Sequence, residues 1–108
     1  MELTKKRCVP CEGGVPPLDE VRVKELLAEV PDWQVGLGGS ELHKRFKFAG
    51  FAEAIAFVNR MAELAEREGH HPDFRVRYNL LEVSLSTHAI GGLSENDFIL
   101  AAKIDQLA

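Results

Sequence analysis

A chain of 108 residues is long enough for one domain with one modest hydrophobic core. Its net charge of −4 argues against direct binding of nucleic acid, because neutralising phosphates requires clustered lysine and arginine. The sequence has no apolar run of the roughly 18 residues that a membrane-spanning helix needs, and its first residues lack the apolar segment of a secretory signal. We therefore expect residence in the cytoplasm and no contact with a membrane.

Residues 1–16 are predicted to form an extended leader ahead of a single domain over residues 17–108. The leader contains a C-x-x-C motif, Cys8 and Cys11, followed by glycines and prolines that favour irregular backbone. A structural zinc site needs four ligands, and a redox motif of the thioredoxin kind follows a strand and opens a helix. Neither context is present, so we favour a leader without a defined structural role. A metal or disulfide clip and a redox motif are the alternatives.

The first predicted elements are a helix and a hairpin. Asp19 opens the helix, apolar residues recur at helical spacing, and Pro31 ends it. Apolar and polar residues then alternate over 33–37 and 41–48, and these runs flank Gly38–Gly39. Two alternating runs around such a turn predict a β-hairpin.

The longest regular stretch, residues 51–68, is predicted to be a helix that ends at Gly69. Glycine adopts the left-handed conformation of a helix end without steric cost. Apolar side chains recur every three or four residues, which predicts one buried face made of Phe51, Ile55, Val58, Met61, Ala62 and Ala65, widened by Phe57 and Leu64.

A second hairpin and a last helix complete the chain. Residues 74–78 and 81–88 are predicted strands, the second with strict alternation of apolar and polar positions. Ser94 and Asp97 have the spacing of a capping box at the start of the last helix. The order αββαββα implies an α+β two-layer sandwich, with a four-stranded antiparallel sheet and three helices on one face. Free strand edges and a free sheet face favour an oligomer.

Adjacent histidines follow the long helix. A helix carboxyl end favours positive charge on His70, and Glu66, one turn earlier, acts in the same direction. Pro72 biases His71 toward extended backbone, so the two rings are expected to point in opposite directions. That disfavours a shared metal and favours two roles in one pocket. With His88 at the end of the last strand, these are the candidate general acids and bases, since imidazole titrates near neutrality.

Structural explanations compete with the chemical one. Either residue of the histidine pair is commonly an exposed helix cap, and His88 is commonly an exposed strand end. Asp97 is explained by its capping role, and Trp33 by a place in the core. A zinc site is disfavoured, because a helical pair of ligands needs i, i+4 spacing.

Seven positions at fixed spacing resemble the signature of the pterin-4a-carbinolamine dehydratase family: Glu66, His70, His71, Pro72, Tyr78, His88 and Asp97. The segments "LSTH" and "GLS" also fall where that family has them, and the resemblance covers residues 17–108. It implies the same αββαββα fold and the dehydration of 4a-hydroxytetrahydropterin to quinonoid dihydropterin. The pterin would be the substrate, and no metal or other cofactor would take part.

The resemblance also implies roles for individual residues. His70 and His88 would be alternate acids for hydroxyls on either ring face, His71 would bind the ring or act as base, and Glu66 would orient the site. The residues implied to bind the pterin are His70, His71, Pro72, Thr87, His88, Ala89, Ile90, Trp33 and Asp97. Backbone groups around Pro72 and of residues 87–90 would hydrogen-bond the edge of the ring. The chain departs from some relatives at Asn96, where they carry a basic residue.

Further implications concern partners. The family typically forms homodimers or homotetramers, and its activity is coupled to an aromatic amino acid hydroxylase whose cofactor it recycles. A different class of function is also open, because animal members act as non-catalytic dimerisation cofactors of a homeodomain transcription factor. Action on another pterin, such as one in molybdopterin metabolism, is a third possibility. The intact histidine set favours the enzyme.

Overall fold

The structure is a computed structural model that describes residues 3–9 and 16–108. Its helices and strands are α1 Glu20–Leu27, β1 Gln34–Gly36, β2 Glu41–Lys47, α2 Phe51–Glu68, β3 Asp73–Arg77, β4 Leu80–Leu85 and α3 Glu95–Leu107. The strands form one antiparallel sheet in the order β1-β2-β4-β3. The predicted α+β fold with the order αββαββα is confirmed. No helix among these residues is long and apolar enough to cross a membrane.

The hydrophobic core lies between one face of the sheet and the helices. Along β4, Leu81, Val83 and Leu85 are buried and the residues between them are half-buried, as the alternation predicts. The central helix is α3, which is buried continuously over residues 96–102. A helix segment enclosed on nearly all sides presents little amphipathic pattern, which agrees with the unbroken apolar run over residues 98–102.

The buried face of α2 differs from the predicted one. The buried residues are Ala54, Phe57, Met61, Leu64 and Ala65, whereas Phe51 is 53% exposed. Ala62 is exposed as well. The helix carries two neighbouring apolar rows at i, i+3/i+4 spacing, and only one of them faces the core. The predicted stripe mixed the two rows.

The ends of the helices are set by local backbone geometry. Gly69 has a left-handed φ of 66°, and the N–H of His70 donates to the carbonyl of Ala65, so α2 ends as predicted. Asp19 caps α1 by accepting from the backbone N–H of Arg22 at 2.8 Å. This first helix is shorter than predicted, because consecutive turns replace it after Leu27.

Residues 3–9, here called the N-terminal strap, pack against the domain. Leu3 is 2% exposed and belongs to the core. The backbone N–H of Cys8 donates to Oε1 of Glu68 at 2.9 Å, and that of Val9 donates to Oδ1 of Asn96 at 3.0 Å. The expectation of a leader without a structural role is therefore wrong for residues 3–9. Cys11, the other half of the C-x-x-C motif, lies outside the described residues.

Candidate active site

Two helix ends bring His70 and Asp97 together. His70 follows the left-handed Gly69 at the carboxyl end of α2, and Asp97 lies in the first turn of α3. The Nε2 atom of His70 is 2.6 Å from Oδ1 of Asp97, with side chains that are 12% and 0% exposed. A carboxylate only accepts hydrogen bonds, so Nε2 carries a proton. Asp97 therefore fixes the orientation of the ring and leaves Nδ1 as its other functional atom.

The second carboxylate oxygen of Asp97 is held by the surrounding backbone and side chains. Its Oδ2 accepts from the Thr87 hydroxyl and from the backbone N–H of Ser94, both at 2.9 Å. The predicted capping box of Ser94 and Asp97 is present. Three hydrogen bonds compensate the cost of burying the carboxylate. Asp97 thus serves as a helix cap and as the partner of His70 at once.

A pocket of about 270 Å³ opens beside this pair. The three histidines of the predicted site meet in it, although His70 and His71 lie 17 or more positions from His88 in the chain. Its volume is close to the lower end of the range for ligand pockets. The lining comes from the end of α2, the segment after β4, α3 and the strap: Gly69, His70, His71, Ser86, Thr87, His88, Ala89, Asn96 and Val9.

Two of the three imidazoles are exposed at the pocket and face carboxylates. Nε2 of His71 is 3.4 Å from Oε1 of Glu66, and these side chains are 60% and 80% exposed. Nε2 of His88 is 3.7 Å from Oδ2 of Asp73, and these are 80% and 77% exposed. Such exposed pairs contribute little to stability. The site therefore combines one largely buried, oriented imidazole with two that are accessible to a ligand.

Trp33 does not lie in this pocket. Its side chain is 1% exposed, its indole N–H donates to Oδ1 of Asp105 at 3.1 Å, and its ring packs against Phe46 with centroids 6.2 Å apart. A side chain enclosed in the core cannot touch a ligand beside His70. The expectation that Trp33 contacts the pterin is not met, and the core interpretation describes it instead.

Several other residues that were expected at the pterin site do not line the pocket either. Pro72 and Ile90 do not line the pocket, and Glu66 and Asp97 reach it only through the histidines that they contact. The N–H groups of Thr87 and Ile90 already donate within the chain, to Gly92 and Thr87, so they are not donors for a ring edge. Within residues 87–90, Thr87, His88 and Ala89 line the pocket, whereas Ile90 does not.

The structure adds residues that the sequence did not point to. Val9 lines the pocket because the strap is folded against α3, and Ser86 and Asn96 lie beside it. No local pattern marks Val9, since only a contact between distant parts of the chain brings it there. The sequence marked Asn96 by its difference from relatives, but it did not predict what Asn96 contacts.

A buried ion pair supports the strap behind the pocket. Nζ of Lys103 is 2.8 Å from Oε2 of Glu68, and the side chains are 13% and 7% exposed. Burial alone would raise the pKa of Glu68, but hydrogen bonds from Lys103 and from the Cys8 N–H outweigh it, so that pKa is lowered. Burial, and then the charge of Glu68, raise the pKa of Cys8 to about 12. Cys8 is therefore a protonated thiol at neutral pH, which disfavours a redox or metal-binding role for it.

Two more features bear on where chemistry can occur. Over residues 3–9 and 16–108, no group of three His, Cys, Asp or Glu side chains is placed to hold a metal ion. A larger groove of about 560 Å³ lies between α1 and the glycine-containing loops, and its walls are mainly Pro17, Leu18, Val23, Leu27 and Val35. None of the described histidines lines that groove, so the candidate acid–base residues belong to the smaller pocket.

Comparison with known proteins identifies the family. The sequence model of the family described as pterin 4 alpha carbinolamine dehydratase matches residues 16–107. The chain belongs to this family. A relative from Halorhodospira halophila, named for pterin-4-alpha-carbinolamine dehydratase, is 50% identical over 107 residues, which are 99% of this chain and 98% of the relative. Dehydratases of this name are hydro-lyases, in agreement with the expected class of enzyme.

Two solved structures similar to this chain are named for pterin dehydratases, and their names also include other roles. A transcriptional coactivator/pterin dehydratase from Brucella melitensis superposes with a TM-score of 0.81 at 34% identity, covering 85% of this chain and 98% of that one. A pterin dehydratase-like RuBisCO assembly factor of the alpha-carboxysome superposes with a TM-score of 0.62 at 28% identity, covering 71% and 89%. The fold of the family is therefore shared by proteins named for catalysis and for assembly.

Proposed function

We propose that this protein dehydrates 4a-hydroxytetrahydropterin to quinonoid dihydropterin and water, with pocket histidines as acid and base. The observation that carries the proposal is the contact of His70 with the buried Asp97, beside a pocket that His70, His71 and His88 line. Membership of the family supports the substrate class.

The reaction needs one proton donor and one proton acceptor. The C4a–OH bond breaks, the hydroxyl takes a proton from the acid and leaves as water, and a ring nitrogen gives a proton to the base. Imidazole suits both steps near neutral pH, and each partner contributes ~10²–10⁴-fold. His70 and His88 are proposed as alternate acids, and His71 as base or ring-binding group.

The environment of each ring supports this division. Because Asp97 holds Nε2 of His70, Nδ1 is the atom left to exchange a proton, as a donor when the ring is charged and as an acceptor when it is neutral. His71 and His88 are exposed, so a ligand reaches them without displacing packed side chains. Glu66, 3.4 Å from His71, is proposed to orient that ring.

Stopped-flow decay of 4a-hydroxytetrahydropterin tests the proposal, with the spontaneous reaction subtracted. The wild-type protein is expected to accelerate the decay, and His71→Ala to abolish the acceleration while the fold is retained. His43→Ala is the matched control, because His43 is a half-buried histidine on β2 that does not line this pocket. Unchanged turnover in the His71 variant would contradict histidine catalysis.

Recycling the cofactor of an aromatic amino acid hydroxylase, in the cytoplasm, is part of the proposal. So is a homodimer or homotetramer, which the edge strands β1 and β3 and the half-exposed Phe74 on β3 favour. Light scattering coupled to size-exclusion chromatography measures the oligomer directly. A monomer at micromolar concentration would contradict that part alone.

A non-catalytic binding function is the second candidate. The names of two structurally similar proteins, a transcriptional coactivator and an assembly factor, favour it. The same kinetic experiment separates the two functions, because an adaptor does not require the pocket imidazoles. Absence of acceleration by the wild-type protein would favour the adaptor, or action on another pterin.

A further inference from the structure

The N-terminal strap joins the two helix ends that carry the His70–Asp97 pair. The backbone N–H of Cys8 donates a hydrogen bond to the side chain of Glu68, two positions before His70. The backbone N–H of Val9 donates one to the side chain of Asn96, the residue directly before Asp97. These contacts span 60 and 87 positions of the chain. The strap is therefore distant in sequence from the histidines of the site but lies next to them in the structure.

Asn96 holds Val9 by both of its backbone groups. Its Oδ1 accepts from the Val9 N–H at 3.0 Å, and its Nδ2 donates to the Val9 carbonyl at 2.6 Å. Asn96 is itself only 4% exposed, so this amide is a fixed partner. The backbone of Val9 is thereby held in place while its side chain remains 63% exposed and lines the pocket.

We propose that the strap is one wall of the substrate site, with Val9 packing on the bound pterin and Asn96 holding Val9 there. The inference rests on the proposed function. Among residues 3–9 and 16–108, the other side chains around the pocket are mainly polar, and Ala89 is the only further apolar one. A flat ring system needs apolar contact as well as hydrogen bonds, and ligand sites are mostly apolar. Val9 is the side chain placed to supply that contact.

The expected effect of Val9 is on binding and not on proton transfer. A valine side chain exchanges no proton, so it contacts ground state and transition state alike. Loss of such uniform binding raises KM and leaves kcat unchanged. If the strap only stabilised the fold, substitution of Val9 would instead lower the thermal stability and leave KM unchanged.

Val9→Ala, measured by stopped-flow dehydration, tests the contact. We expect KM to rise about three- to tenfold with kcat unchanged, from the loss of two methyl groups against the ring. Val21→Ala is the matched control, because Val21 is 69% exposed on α1 and lies outside the pocket. It is expected to leave KM unchanged. Equal KM values for wild type and Val9→Ala would overturn the inference.

A double-mutant cycle tests the role of Asn96. Asn96→Ala releases Val9, so adding Val9→Ala to that variant is expected to change KM less than the single substitution does in wild type. Independent, additive effects would overturn the positioning role of Asn96. Thermal melts of each variant show whether a change in KM comes from unfolding. If Asn96→Ala does not fold, the measurement on Val9→Ala alone still tests the contact with the pterin.

Fluorescence titration with biopterin, an oxidised pterin, separates this inference from the proposed function. If wild type neither accelerates dehydration nor binds biopterin, the proposed function fails and this inference fails with it. If wild type turns over substrate and Val9→Ala matches it in KM and in biopterin affinity, only the strap inference fails.

Discussion

His70 Nε2 lies 2.6 Å from Asp97 Oδ1, and this contact joins the carboxyl end of α2 to the amino end of α3. The buried carboxylate makes the ring of His70 the most restrained of the three pocket imidazoles. Because Asp97 also caps α3, the orientation of a candidate catalytic group depends on the start of a core helix. We therefore expect substitutions of Asp97 to change stability and activity together.

Asp97→Asn is expected to lower kcat by about 10²-fold or more, because an amide does not hold the same ring orientation and protonation of His70. It should also cost about 2 kcal/mol of unfolding free energy, since buried hydrogen bonds to the carboxylate are weakened. Stopped-flow turnover and urea unfolding measure the two effects.

Asp19→Ala is the control for loss of a cap alone. It removes the cap of α1, a 2.8 Å bond to the N–H of Arg22, and should cost about 1 kcal/mol. Its kcat should equal that of wild type. If Asp97→Asn lost stability but kept its kcat, the link from Asp97 to His70 would have no catalytic role.

Trp33→Phe is expected to affect stability and not catalysis. The substitution removes the indole N–H bond to Asp105 and part of the packing against Phe46. We expect a loss of about 1–3 kcal/mol in unfolding free energy, with kcat and KM within about twofold of wild type. A large rise in KM with normal stability would show that Trp33 contacts substrate after all.

Cys8 is expected to resist alkylation in the folded protein. Its pKa of about 12 leaves little thiolate at pH 8, whereas an unfolded cysteine is partly ionised there. In a Cys11→Ser variant, iodoacetamide should react with Cys8 at least about 10²-fold more slowly in buffer than in urea. Because the folded pKa is raised, stability should fall as pH rises from 9.0 toward 12. Equal rates in buffer and urea would contradict the raised pKa of the half-buried Cys8 thiol.

The Glu68–Lys103 pair is expected to stabilise the fold in a pH-dependent way. The folded pKa of Glu68 is lowered, so its contribution is present above the ordinary value of 4.5 and is lost as pH falls through the folded value. Glu68→Gln should cost about 3 kcal/mol at pH 7 and progressively less at acid pH, as measured by urea unfolding.

Glu25→Gln is the matched control for that measurement. Glu25 faces Arg22 at 4.0 Å with a side chain that is 59% exposed, so the pair should contribute less than about 1 kcal/mol at any pH. A difference between wild type and Glu68→Gln that did not change with pH would contradict the assigned role of the Glu68 charge.

Much of the fold followed from local signals in the sequence. Alternation along β4, the glycine that ends α2 and the capping box of Ser94 and Asp97 each depend on residues within a few positions of one another. Periodicity was less decisive on α2, because two apolar rows satisfy it and packing against the sheet and α3 decides between them. Phe51 is exposed for that reason.

The sequence by itself determined the order of elements, the carboxyl end of α2, the start of α3 and the set of histidines, because spacing and capping chemistry are local. Only the tertiary structure decided which side chains meet. Three such contacts are those of His70 with Asp97, of Trp33 with Asp105 and of Val9 with Asn96. They join residues that are 27, 72 and 87 positions apart, respectively. Such contacts arise when a whole core closes, and no local pattern encodes them.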